Sequence, residues 1–118
     1  MMPYEKLVAW QVAHQLTVAI YRVTEHFPKR EVYGLSSQLR RAGFSVAANI
    51  AEGVAKRGST REFHRFLDIA IGSLSEIAYA LRLSRDVSLL TATEHDSLSA
   101  LRTRTARLVW GLYRATRR

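Results

Sequence analysis

SVAANIAEGVAKRG, residues 45–58, is the stretch on which the fold turns. Residues 45–55 are all small or apolar except Asn49 and Glu52, no proline interrupts them, and alanine is the best helix former. A helix that is apolar almost all round is a buried one. In a bundle built from 118 residues no helix is enclosed by its own chain alone, so this segment predicts two buried faces, one toward its own core and one toward a neighbouring subunit.

Working outward, the apolar spacing predicts four helices. The first covers about Lys6–His26, with Ala9, Ala13, Leu16, Ile20, Val23 and Phe27 on one face. Pro28 ends it, because the residue before proline avoids the α region. The second covers Tyr33–Lys56, with Leu35, Leu39, Ala42, Val46 and Ile50 inward and Gly58 in the following turn. The third opens with Ser59 and Glu62, the fourth with Thr91 and Glu94; each pair has the spacing of a reciprocal capping box. Phe63, Leu67, Ala70, Leu74, Ile77 and Leu81 line the third, and Leu98, Leu101, Thr105, Leu108 and Leu112 line the fourth. Heptad-like stripes joined by short links predict an all-α, antiparallel up-down four-helix bundle, one domain over residues 1–118.

Composition bounds the chemistry. Apolar residues make up 47% and charged residues 24%, a globular balance. The absence of cysteine removes disulfides, thiolate nucleophiles and Cys-ligated zinc, and fits a reducing compartment. No run of eighteen apolar residues and no signal pattern is present, so the expectation is a cytoplasmic protein without a membrane partner. The net charge of +8 is uneven: residues 1–58 carry +4, residues 59–96 carry −2, and residues 97–118 hold six arginines and no acid. Such concentration is an electrostatic footprint for polyanions, although charge alone fits a soluble basic surface equally well.

Residues outside the core stripes carry the functional reading. Leu7, Trp10, His14 and Tyr21 make a second stripe on the first helix; Phe44, Ala47, Ala48, Ala51 and Ala55 point away from the core of the second; Gly72 and Tyr79 do so on the third. A glycine inside a helix costs about 1 kcal/mol relative to alanine, so Gly72 implies close approach of another backbone. Three such faces predict self-association through Trp10, Tyr21, Phe44 and Gly72. Asn49 and Glu52, one turn apart, read as a polar pair fixing helix register or as a catalytic amide and carboxylate. Arg41 and Ser45, or His64 and Arg61 from the third helix, are their candidate neighbours. No nucleophile or metal cluster accompanies them, which favours the register device.

No enzyme motif survives inspection. His14, His26, His64 and His95 lie on different segments without ligand spacing, no GxSxG elbow occurs, and AKRGST lacks phosphate-loop spacing. No cofactor or metal is expected. The basic groups are the better lead: Arg40 and Arg41 on the second helix, Lys56, Arg57, Arg61 and Arg65 around the turn into the third, and Arg107, Arg114 and Arg117 flanking Trp110 on the fourth. Arginines around an exposed aromatic suit phosphate contact with base stacking, while Trp110 fits a subunit contact equally well. The rival is a protein-interaction scaffold whose basic faces meet an acidic partner.

The elements W-x3-H, Y-x5-FP, YGL-x2-Q-x-RRA, NIAEG and F-x2-FL-x3-IGSLSE run from Trp10 to Glu76. In combination they resemble the four-helix proteins encoded within intervening sequences of bacterial 23S rRNA genes; the fourth helix matches only in pattern. The family is similar in turn to the accessory variability determinant of diversity-generating retroelements, a homopentameric barrel that partners a reverse transcriptase and binds nucleic acid. The resemblance implies a homopentamer and tilts the expected polyanion toward RNA over DNA; a reverse transcriptase or other protein partner belongs to one branch.

Overall fold

The structure, a computed structural model, describes residues 1–116. Those residues form four helices and no strand: α1 Val8–Thr24, α2 Leu35–Ala55, α3 Thr60–Asp86 and α4 Ala92–Ala115. Short 3₁₀ turns occupy Pro3–Lys6 and Lys29–Glu31. Each helix packs on its neighbour in sequence, and α1 also meets α4, so the four close around one core. Leu16, Ile20, Leu39, Val46, Ile50, Leu67, Ile77, Leu81 and Val109 are fully enclosed there. None of the four helices is long and apolar enough to cross a membrane.

Local chemistry sets the helix ends and trims the boundaries expected from periodicity. Leu7 is extended (φ −84°, ψ 124°), which separates the first 3₁₀ turn from α1. At the start of α2, Gly34 breaks the chain and the Glu31 carboxylate accepts from the Leu35 N–H at 3.0 Å, so the helix begins two residues later than Tyr33. Thr91 and Glu94 form the reciprocal box, with bonds of 2.9 and 3.1 Å. Only half of the Ser59 box exists: Ser59 Oγ accepts from Glu62 N–H at 3.2 Å, while the Glu62 carboxylate turns 3.5 Å toward Arg65. Past α3, Ser88 adopts a left-handed conformation (φ 64°) while Leu89 N–H reaches the Ser84 carbonyl at 2.8 Å and Ser88 N–H the Arg85 carbonyl at 3.0 Å. This Schellman pair reverses the chain into α4 within a few residues.

The expected inward stripes hold for α1 to α3, with Val23 and Leu35 only half-buried. On α4 the line is displaced. Leu98 and Thr105 are buried, but Leu101, Leu108 and Leu112 are half-exposed, and Val109 takes the central place. A strict seven-residue repeat drifts around a helix of 3.6 residues per turn, and Val109, four beyond Thr105, follows the drift.

Gly53 marks a close helix contact. It lies buried inside α2, where an added Cβ would stand 3.0 Å from Phe63 Cδ1 and 3.3 Å from Phe66 Cβ on α3. Gly43 plays the same part toward α1, with Ile20 Cδ1 at 3.3 Å and Thr17 Cα at 3.5 Å from the position of a Cβ. Thr17 Oγ1 joins the two backbones there, 2.9 Å from both the Ala13 and Gly43 carbonyls. Substitution Gly53→Ala should therefore destabilise by about 1–2 kcal/mol, because overpacking a tight contact outweighs the roughly 1 kcal/mol gained in helix propensity. Gly111→Ala on α4, where a Cβ meets nothing within 4 Å, should stabilise instead. Opposite shifts in urea midpoint at constant slope are the expected outcome; equal shifts would show that the α2–α3 contact is not tight.

Candidate nucleic-acid interface

The turn between α2 and α3 is basic and open. Lys56 closes α2, Arg57 and Gly58 follow, and all three are exposed. Arg61 and Arg65 are exposed on the first turns of α3. The Arg65 guanidinium lies over the Phe66 ring, 4.5 Å from its centroid, and 3.5 Å from the Glu62 carboxylate, so two contacts restrain this long side chain.

His64 sets what stands beside this turn. Its Nε2 lies 2.7 Å from Thr116 Oγ1 and 3.1 Å from the Tyr113 carbonyl, and its ring stacks on Tyr113 with centroids 4.2 Å apart. The carbonyl can only accept, and the Thr116 hydroxyl lies within donating distance of the carbonyls of Leu112 (3.0 Å) and Tyr113 (3.2 Å). The bond to the carbonyl thus requires Nε2 to carry a proton, and Thr116 Oγ1 can accept from the same nitrogen. The bond holds the carbonyl end of α4 on the first turn of α3, where backbone acceptors would otherwise lack partners. Arg114, exposed at that end, is thereby brought to the same end of the bundle as Arg57, Arg61 and Arg65. Arg107 is also exposed and lies about 20° from Arg114 around α4. Trp110, 43% exposed, leans its edge on Tyr113 at 5.6 Å between centroids. Arg117, expected on the same face, lies outside the described residues.

Arg40 and Arg41 are elsewhere. They sit near the start of α2, about 25 Å from Arg57 at 1.5 Å rise per residue. Arg40 is half-buried and committed to its own chain: Nε donates to Thr24 Oγ1 at 2.8 Å, an Nη2 proton reaches the Tyr21 carbonyl at 3.2 Å, and the guanidinium covers the Tyr21 ring at 4.6 Å. It caps the end of α1. The basic set predicted from sequence is thus two sites at opposite ends.

The predicted contact residues group along the α1–α2 seam. Tyr4, Trp10 and His14 form an aromatic column, Tyr4 edge-on to Trp10 at 4.9 Å and Trp10 stacked on His14 at 5.0 Å. With Tyr21, Phe44, Ala47, Ala48 and Ala51 they line an open groove of about 610 Å³, and Phe44 is 65% exposed at its edge. Gly72 is exposed, with nothing within 4 Å of an added Cβ, so among the described residues no other helix packs on it. Asn49 and Glu52 are not joined to each other. Asn49 Nδ2 donates to the Ser45 carbonyl at 2.8 Å and to Ser45 Oγ at 3.1 Å, and Ser73 Oγ of α3 donates to Ser45 Oγ at 2.8 Å. That chain of bonds is a polar seam between α2 and α3. Glu52 is exposed beside Arg57 on the rim of a different groove.

Two features escaped the sequence. His64 and Tyr113 meet across 49 positions, and no local pattern announces a pairing of that separation. Lys29 joins Arg40 and Arg41 in one groove only because the chain folds back at Pro28. Replacing His64 by alanine should free the last turn of α4: amide exchange at residues 112–116 should accelerate, with a loss of about 1–2 kcal/mol in stability. Protection unchanged at those amides would remove His64 from this role.

The chain matches the family of 23S rRNA-intervening sequence proteins over residues 5–111. No curated protein matches it. Among solved structures, it superposes with a TM-score of 0.78 on the crystal structure of a protein of unknown function from the S23 ribosomal protein family of Bacteroides thetaiotaomicron. The two share 23% identity over 89% of this chain and 97% of the other, a likeness of fold. With the family match covering α1 to α3 and most of α4, this chain belongs to the 23S rRNA-intervening sequence proteins.

Proposed function

We propose that this protein is a non-enzymatic cytoplasmic binding module: a single-domain, antiparallel up-down bundle assembled into a homo-oligomer, five subunits in the simplest form. It holds nucleic acid, RNA in preference to DNA, at its basic end. The observation that carries the nucleic-acid reading is the His64–Thr116 contact, which puts Arg61 and Arg65 of α3 at the same end as Arg114 of α4. A cationic rim with an exposed tryptophan beside it can hold a backbone by phosphate contacts and stack a base. No base-reading motif accompanies it, so recognition is of backbone and single-strandedness. After Asp96 the described part of α4 contains no acid to oppose a phosphate.

Self-association is supported by the α1–α2 groove and by the outer face of α3, where Tyr79 is 68% exposed about two turns beyond Gly72. Contiguous exposed aromatic and alanine surface of this kind marks an interface. In a ring, the basic ends repeat, and a long strand gains from effective concentration.

Affinity for a generic single-stranded RNA should fall linearly in log–log form with salt, and each phosphate contact removed by Arg61→Gln, Arg65→Gln or Arg114→Gln should lower the slope by about 0.7. Those variants should fold normally, since exposed ion pairs contribute little. Absence of binding at low salt would transfer support to the protein scaffold, with an acidic or reverse-transcriptase-like partner. For assembly, Gly72→Leu should lower the mass seen by light scattering while helicity stays constant; a wild-type monomer at micromolar concentration would refute the oligomer.

A further inference from the structure

The groove at the other end of the bundle is a separate place. It lies where α1 ends and α2 begins, has a volume of about 580 Å³, and takes Lys29, Arg40, Arg41, Ser36 and Ser37 into its wall. We infer that this groove binds a phosphate monoester, with Arg40 as its fixed donor and Arg41 and Lys29 as mobile ones.

Arg40 carries the inference. A guanidinium has five N–H donors in a rigid plane. Here Nε is held by Thr24 Oγ1, one Nη2 proton by the Tyr21 carbonyl, and the flat face by the Tyr21 ring. Among the described residues no carboxylate pairs with it, and the remaining N–H edge is left for an acceptor. A pre-oriented fork of this kind matches phosphate oxygens and loses little entropy on binding. Arg41 and Lys29 are exposed on the same wall, and the two serine hydroxyls add neutral donors.

Charge selects the ligand class. Three cations face one carboxylate, Glu25, so the wall has a formal excess of two positive charges. The other acid of the segment, Glu31, is turned onto the Leu35 N–H and is not part of the wall. An excess of two matches a phosphate monoester, which carries about −1.5 to −2 at pH 7, better than a phosphodiester or a carboxylate with one charge. The same doubly charged phosphate group occurs in the free ion, in a mononucleotide, and at the phosphorylated end of a nucleic-acid strand.

The test uses the intact protein at constant ionic strength. Inorganic phosphate titrated at pH 7.5 should give a saturable shift of the Arg40 side-chain Nε–H resonance. Dimethyl phosphate, a singly charged diester, should bind about tenfold more weakly, and Arg41→Gln should weaken phosphate by about tenfold, the loss of one charge-assisted bond. Arg114→Gln, at the opposite end, should leave phosphate binding unchanged. Equal affinity for phosphate and dimethyl phosphate, or phosphate binding indifferent to both Arg41→Gln and Lys29→Gln, overturns the inference. An oligonucleotide with a 5′-phosphate, compared with its 5′-hydroxyl twin, separates the sources. Tighter binding of the phosphorylated strand, lost in Arg41→Gln, assigns the strand end. Saturable phosphate binding without any oligonucleotide binding assigns the free ion or mononucleotide, and then the inference stands while the nucleic-acid reading fails.

Discussion

Close approach of α2 to both its neighbours is the constraint on which the rest depends. At Gly43 the backbone of α2 comes near Thr17 and Ile20 of α1; at Gly53 it comes near Phe63 and Phe66 of α3. Two glycines ten residues apart, each about 1 kcal/mol unfavourable to the helix itself, persist because a methyl at either place would crowd the facing side chains, most tightly Phe63 and Phe66 at Gly53. With α2 drawn inward, Leu39, Val46 and Ile50 are fully enclosed, and Thr17 and Ser73 reach its polar atoms. The polar bonds then fix the register that apolar contacts, which are non-directional, leave loose.

The same closeness explains where the surface functions lie. A central helix packed through small residues leaves its remaining alanines on the outside: Ala47, Ala48 and Ala51 are only half-covered by this chain, and they continue into the aromatic column of α1. The two ends of α2 lead into turns where neighbouring helices converge. Charge gathers at both: around Arg57, Arg61, Arg65 and Arg114 at one end, around Lys29, Arg40 and Arg41 at the other. The arginines differ in kind. Arg40 is anchored to Thr24 and Tyr21, whereas Arg41, Arg57 and Arg61 stand in solvent. Of these four, only Arg40 offers a direction as well as a charge.

The amide and the carboxylate that interrupt the apolar stretch have parted roles. Asn49 bonds Ser45 one turn back, and Ser73 extends the link to α3, as a register device would. Glu52, three residues on, points to solvent near Arg57. A spacing of three on a helix separates side chains by about 60°, enough for one to enter a helix seam and the other to leave it. From the sequence they were one pair; the packing of α3 against α2 separates them.

The four helices and most of their buried faces were legible in the chain, because apolar periodicity is local and a helix stripe repeats every three or four residues. Leu16, Ile20, Leu39, Ile50, Leu67 and Leu81 were all readable in this way. The helix caps at Ser59 and Thr91 were legible too, since a cap spans only three residues. The tertiary structure alone decided which half of the Ser59 cap formed, that Val109 and not Leu108 fills the core, and that Gly53 is a point of contact with α3. It alone joined His64 to Thr116 and Lys29 to Arg40. These features depend on the position of a second helix to within an ångström, and a residue in one segment carries no mark of which distant segment will arrive beside it.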